Sequence, residues 1–217
     1  MNRELAESYV LYGINSTNFT KKTLTHFLLI NIILFAFSAV TVAFSREISF
    51  VILVIVSIIL NIVITCYCHS KWSAVTYLIT QATQILFFII AINYIYFGYC
   101  KTSGFFVWYE YAVSIVTQFA AFALSVPITV HLAKKHNIEK KPLEYVKKSS
   151  IHLLIIPLSS ILYKIFLTDA PFSVVLTILC ILLNLVALLS SSHITATYYR
   201  AYLIKKFNLT IDLKQLP

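Results

Sequence analysis

Six stretches of the chain are apolar almost without interruption, at about 24–44, 50–68, 73–97, 105–132, 150–167 and 172–203. A helix rises about 1.5 Å per residue and a hydrocarbon core is roughly 30 Å thick, so stretches of this length predict membrane spans. The breaks are short and polar, reading SREI, HSKW, GYCKTSG, KKHNIEKKPLEYVKKS and TDAP. The pattern predicts an all-α integral membrane protein, a six-transmembrane-helix bundle over 24–203. It is flanked by tails at 1–23 and 204–217. The fourth and sixth stretches would reach roughly 42 and 48 Å, so they must tilt or protrude. Two of the three glycines, Gly98 and Gly104, bracket GYCKTSG and predict a chain reversal there, which leaves no glycine inside any predicted span. In the first tail, Leu5, Tyr9 and Tyr12 share one helical face and predict a short interfacial helix.

Composition agrees with this class. Of 217 residues 59% are hydrophobic and 12% charged, against about 25% charged in soluble domains. No tail or loop is long enough to bury a core of its own. No cleavable leader is expected, because the first apolar run is too long and lacks a small-residue cleavage site.

Charge sets the orientation. If the N-terminus is inside, all but Arg46, Lys101 and Lys164 of the 17 Lys and Arg fall on the inner side. The whole net charge of +9 then lies on that side, as the positive-inside rule demands. Both termini are expected to be cytoplasmic, in a bacterial cytoplasmic membrane. The sequons at Asn15, Asn18 and Asn208 would then be cytoplasmic and unused. Lys134, Lys135, Lys140, Lys141, Lys147 and Lys148 make a basic loop. It should engage anionic lipid headgroups or an acidic cytoplasmic protein partner; nucleic acid is not expected.

Polar residues recur inside the spans at helical spacing. The second span carries Ser57, Asn61, Thr65 and Cys68, and the third Thr76, Thr80 and Gln84, with Gln81 and Thr83 beside them. The fourth carries Glu110, Ser114, Thr117, Gln118 and Ser125, and the sixth Thr177, Cys180, Asn184, Ser191, Thr195 and Tyr198. Two readings follow. The stripes pack helix on helix through small and hydrogen-bonding side chains. Alternatively, Asn61, Thr80, Gln81, Gln84, Ser114, Thr117, Gln118, Asn184 and Ser191 line a polar path.

Glu110 and Lys164 are the acid and base set well within apolar spans, at similar depth from the outer side. An unpaired charge there is costly, so they are candidates for an ion pair or a proton-responsive site. The other reading is that each reaches the interface separately. The aromatics from Tyr94 to Tyr111 suit an interfacial belt.

No reaction is named by any motif. H-E-x-x-H, G-x-S-x-G and paired aspartates are absent, and an enzyme is not expected. Cys66, Cys68 and His69 resemble a ligand trio, but no second cluster has metal-site spacing, so neither metal nor cofactor is expected. What remains is a channel-like or sensor-like bundle, expected to be a homo-oligomer, whose basic face meets lipid or a partner. The alternatives are a small-solute or ion transporter, or a membrane component of a bacterial defence or immunity system acting through a cytoplasmic partner.

Overall fold

In the computed structural model, residues 1–14, 20–102, 104, 108–139 and 172–211 are described. They form helices α1 (Arg3–Ile14), α2 (Lys21–Phe44), α3 (Ile48–Ser70), α4 (Ala74–Thr102), α5 (Trp108–Glu139) and α6 (Phe172–Phe207). Five of these, α2 to α6, contain stretches long and apolar enough to cross a membrane. The protein is therefore a multi-pass membrane protein whose described elements are all helices. The predicted span at 150–167 lies outside the described residues.

Local chemistry sets the helix ends. Thr20 caps α2, its hydroxyl accepting from the Thr23 N–H at 3.1 Å. Ser73 and Thr76 cap α4 reciprocally, each hydroxyl accepting from the other's backbone N–H at 3.2 and 3.0 Å. Between α2 and α3 the reversal is made by Arg46 at φ 59, a left-handed position after a helix end where glycine is usual. Asn208 ends α6 in the same way at φ 47, and the Leu209 N–H bonds to the Ile204 carbonyl.

α4 is the central helix. In its most apolar window 56% of residues are buried, against 28% or less in the other four. α2 runs parallel to α4 at a fixed offset: Asn31 meets Gln84 and Ser38 meets Ala91. α3 runs antiparallel, with Phe35, Val54, Phe87 and Ala91 forming the core of this half. On the other side Ala82 and Ile89 of α4 pack with Ala187 and Ile194 of α6. α5 lies parallel to α6, since Ser114, Ser125 and Thr129 meet Asn184, Ser191 and Thr195 in that order. The N-terminal tail carries α1, whose buried face is Ala6, Tyr9 and Val10, with Leu5 and Tyr12 only half-buried. α1 lays Ala6, Tyr9 and Val10 against the start of α4 and the ends of α5 and α6.

One reading of the sequence is corrected. Gly98 does not open a turn, because α4 continues through it to Thr102. It is a helical glycine at a close crossing with α2, where a Cβ would lie 2.6 Å from the Thr41 carbonyl carbon. A span therefore does contain a glycine, and it admits one backbone to another as small residues do in membranes. Gly104, at φ +73 with open space around it, is the turn glycine.

Gly98→Ala should destabilise the bundle by about 1–3 kcal/mol, because the obstacle is backbone. Gly13→Ala should cost less, since the atoms nearest its Cβ belong to the far end of the Arg200 side chain and not to backbone. Unfolding of both variants in mixed micelles measures the difference; equal effects would mean that the α2–α4 crossing tolerates a methyl group.

Candidate functional site: two polar networks on opposite sides of one helix

Gln84 and Asn93 are nine residues apart on α4. At about 100° per residue they face opposite sides of it. Each is the centre of a buried polar network.

Gln84 is fully buried. Its amide nitrogen donates to Asn61 Oδ1 and, at 2.7 Å, to Thr65 Oγ1. Its amide oxygen accepts from Asn31 Nδ2 at 2.6 Å, and Asn31 also reaches the Gln84 backbone carbonyl at 3.0 Å. The Thr65 hydroxyl donates on to the Asn61 carbonyl at 2.9 Å. One side chain thus ties α2, α3 and α4 together with both donors and its acceptor in use. Asn61 Nδ2 is buried without a hydrogen-bond partner among the described residues.

On the opposite side, Asn93 and Gln118 exchange amide hydrogen bonds at 2.9 and 3.1 Å. Gln118 reaches Ser114 Oγ at 3.4 Å, and Asn184 Nδ2 donates to the same oxygen at 3.0 Å and to the Cys180 carbonyl at 3.0 Å. This network ties α4, α5 and α6. Hydroxyls continue the contact along the helices: Thr129 bonds Thr195 at 3.0 Å, and Thr83 bonds Tyr198 at 2.8 Å.

The residues predicted to share one polar path are divided by this geometry. Asn61 and Gln84 are in the first network; Ser114, Gln118 and Asn184 are in the second. Ser191 is buried, its carbonyl accepting from Ser125 and its hydroxyl donating to the Leu188 carbonyl at 2.7 Å. Thr80 and Gln81 are buried, and Gln81 Oε1 has no partner among the described residues. Thr117 is exposed and donates to the Val113 carbonyl of its own helix at 2.8 Å. Asn31, Ser38 and Asn93 complete the contacts and were not singled out from the sequence. The signal for Asn31 and Ser38 is the stripe Asn31, Phe35, Ser38, Val42, which is the buried face of α2.

Glu110 stands in the first turn of α5, with its side chain outside the described set, and Lys164 lies outside the described residues. So do Lys140, Lys141, Lys147 and Lys148, while Lys134 and Lys135 are exposed near the end of α5. At the end of the bundle holding the α2–α3 turn, Glu47 pairs with Lys101 at 2.9 Å. Both partners are about one-third exposed, so the pair contributes little stability. The aromatics there pack partly inward: Phe50 stacks on Phe97 with centroids 4.0 Å apart, while Trp108 and Tyr109 are exposed. Cys66 faces out and Cys68 is buried, so the Cys-x-Cys-His run does not converge; no cluster of metal-ligating type occurs among the described residues.

Beside the second network is a cavity of about 510 Å³ between α4, α5 and α6. Asn93 and Gln118 form part of its wall, and most of the rest is isoleucine, phenylalanine and tyrosine. No protein-family model, curated protein or solved structure matches the chain.

Gln84→Leu removes the centre of the first network, leaves Asn61 Oδ1 without its donor and leaves Asn31 with only the backbone carbonyl of residue 84. The loss should be roughly 2 kcal/mol in the bundle's unfolding free energy. Gln81→Leu deletes a group whose acceptor is unused and should be neutral or stabilising. Reversible unfolding in bicelles compares them; a larger loss at Gln81 would contradict the hydrogen-bond assignment.

Proposed function

We propose that the chain is a six-span membrane protein without a catalytic domain, with both termini cytoplasmic. In this reading it works as a sensor-like bundle that presents a basic face to anionic lipid or a cytoplasmic protein partner. The observation that carries it is the use of the span polar groups. The carboxamides of Asn31, Gln84, Asn93, Gln118 and Asn184 and the Asn61 side-chain oxygen bond to one another, or to the Thr65 and Ser114 hydroxyls, across helix interfaces. They sit on two sides of α4 instead of around one lumen, which favours helix adhesion over conduction.

Topology supports the six spans and the orientation. α5 and α6 are parallel, so the chain between them connects opposite ends of the bundle. The end that carries the start of α2 and the ends of α3, α5 and α6 exposes Lys21, Lys22, Lys71, Lys134, Lys205 and Lys206. At the opposite end the described charges include the Glu47–Lys101 pair and Arg46. A basic end of this kind is the one that faces the cytoplasm.

α1 is built into the basic end. The Arg200 guanidinium lies 5.0 Å over the Tyr9 ring and presses against Gly13, so the N-terminal helix is held by the last turns of α6. Burial pushes the Tyr9 phenol above its ordinary value of 10, with Arg200 pulling it partly back. The net shift is upward and leaves the phenol neutral at physiological pH, so this contact should hold from pH 6 to 8 (roughly the physiological range). Such a helix can report events at the basic face to the bundle, which suits a sensor.

Two measurements test the reading. Planar bilayers containing folded protein should pass no current, with wild type and with Glu110→Gln, across pH. A steady current that Glu110→Gln alters would replace the sensor with a channel. In nanodiscs, phosphatidylglycerol should raise the melting temperature relative to phosphatidylcholine. Changing Lys134, Lys135, Lys205 and Lys206 to Gln together should remove most of that rise; an unchanged rise would place the lipid contact elsewhere.

A further inference from the structure

The cavity between α4, α5 and α6 has the size of a ligand site, since such pockets run from about 300 to 1,000 Å³. Its position explains why it is open. α5 packs along α6 and meets α4 through the Asn93–Gln118 amide pair and, further toward the α4 C-terminus, through Tyr96, Phe97 and Lys101 against Trp108 and Tyr111. On the other side of the amide pair the gap between α4 and α5 is left unfilled. Ile90 of α4 and Ile115, Phe119 and Phe122 of α5 line it. Phe119 is also 71% exposed, which puts it at the mouth, on the membrane-facing side of α5. The cavity opens sideways into lipid at the depth of a span.

The chemistry of the wall restricts what can enter. A buried water needs two to four polar partners, roughly. Here the polar groups already serve each other: Asn93 with Gln118, Thr195 with Thr129, Tyr198 with Thr83. Little is left to hold water, and the apolar wall favours an apolar body. The bridging amides still offer one feature. Each carbonyl oxygen has two lone pairs, and Gln118 Oε1 accepts one described hydrogen bond, from Asn93. A second donor can be taken there. Among the described residues no Lys or Arg lines the bay, so an anionic headgroup would be poorly matched.

We propose that this bay is a binding site for a membrane-dissolved amphiphile with an apolar body and a single neutral hydrogen-bond donor, of the long-chain or prenyl alcohol type. The ligand enters from the bilayer past Phe119, lays its chain against Ile90, Ile115 and Phe122, and donates its hydroxyl to the Gln118 carboxamide oxygen.

The test is photolabelling of the full chain in nanodiscs with a diazirine-bearing hexadecanol, with the attachment sites mapped by mass spectrometry. Labels should concentrate on Ile90, Ile115, Phe119 and Phe122. Hexadecanol should compete about tenfold better than its methyl ether, which keeps the chain and loses the donor. Ile115→Trp, which fills the bay, should abolish these labels without lowering the melting temperature. Labels spread evenly over the lipid-facing residues of α2 and α3 would mean annular lipid only and would overturn the site. So would labels on residues 150–167 with none in the bay. Equal competition by alcohol and ether would overturn the assigned ligand class. The wild-type map and the competition remain decisive if Ile115→Trp fails to fold.

Discussion

A carboxamide inside a membrane has no water to bond with, and in this bundle that constraint decides which helices meet. Gln84 bonds to Asn31, Asn61 and Thr65 and thereby fixes α2 and α3 against α4. Asn93 does the same for α5 through Gln118, and Asn184 brings in α6 through Ser114. Each such bond contributes modestly in lipid, about 0.6 kcal/mol on average and up to about 1.7. Their effect on specificity is larger than their sum, because any other register would strand several amides at once.

Packing follows from these anchors. Further along the α2–α4 seam that Gln84 anchors, the backbones close: Gly98 admits Thr41, and the Ala91 carbonyl accepts from the Ser38 hydroxyl. Beside Asn93 a cavity lies between α4 and α5, next to the amide pair and the ring contacts of Phe97 with Tyr111. Tight adhesion thus lies on one side of α4 and an open bay on the other. At the basic end, α1 covers the ends of α4, α5 and α6 through Tyr9, Val10 and Arg200.

Much of this was legible in the sequence. Hydropathy located α2 to α6, because a span must be apolar along its length whatever it packs against, although α4 and α5 run on to Thr102 and Glu139, past the predicted ends at 97 and 132. The stripes on the second and third spans pointed to Asn61, Thr65 and Gln84. What the sequence hid is pairing. Asn31 is one amide in a long apolar run, and nothing local says that Gln84 lies opposite. Thr117 fits the α5 stripe by spacing but faces outward, bonded to its own helix. Gly98 sits in GYCKTSG, where a turn and a helix crossing call for the same residue; only the position of Thr41 separates them.

The central claim is that the span amides act in two independent adhesive pairs. A double-mutant cycle in bicelles tests it most directly, using Asn31→Leu with Gln84→Leu, Asn93→Leu with Gln118→Leu, and Gln84→Leu with Gln118→Leu. Coupling of about 1 kcal/mol is predicted within each of the first two cycles and near zero in the third. No coupling within the pairs, or strong coupling between Gln84 and Gln118, would contradict it and return these residues to a single shared path.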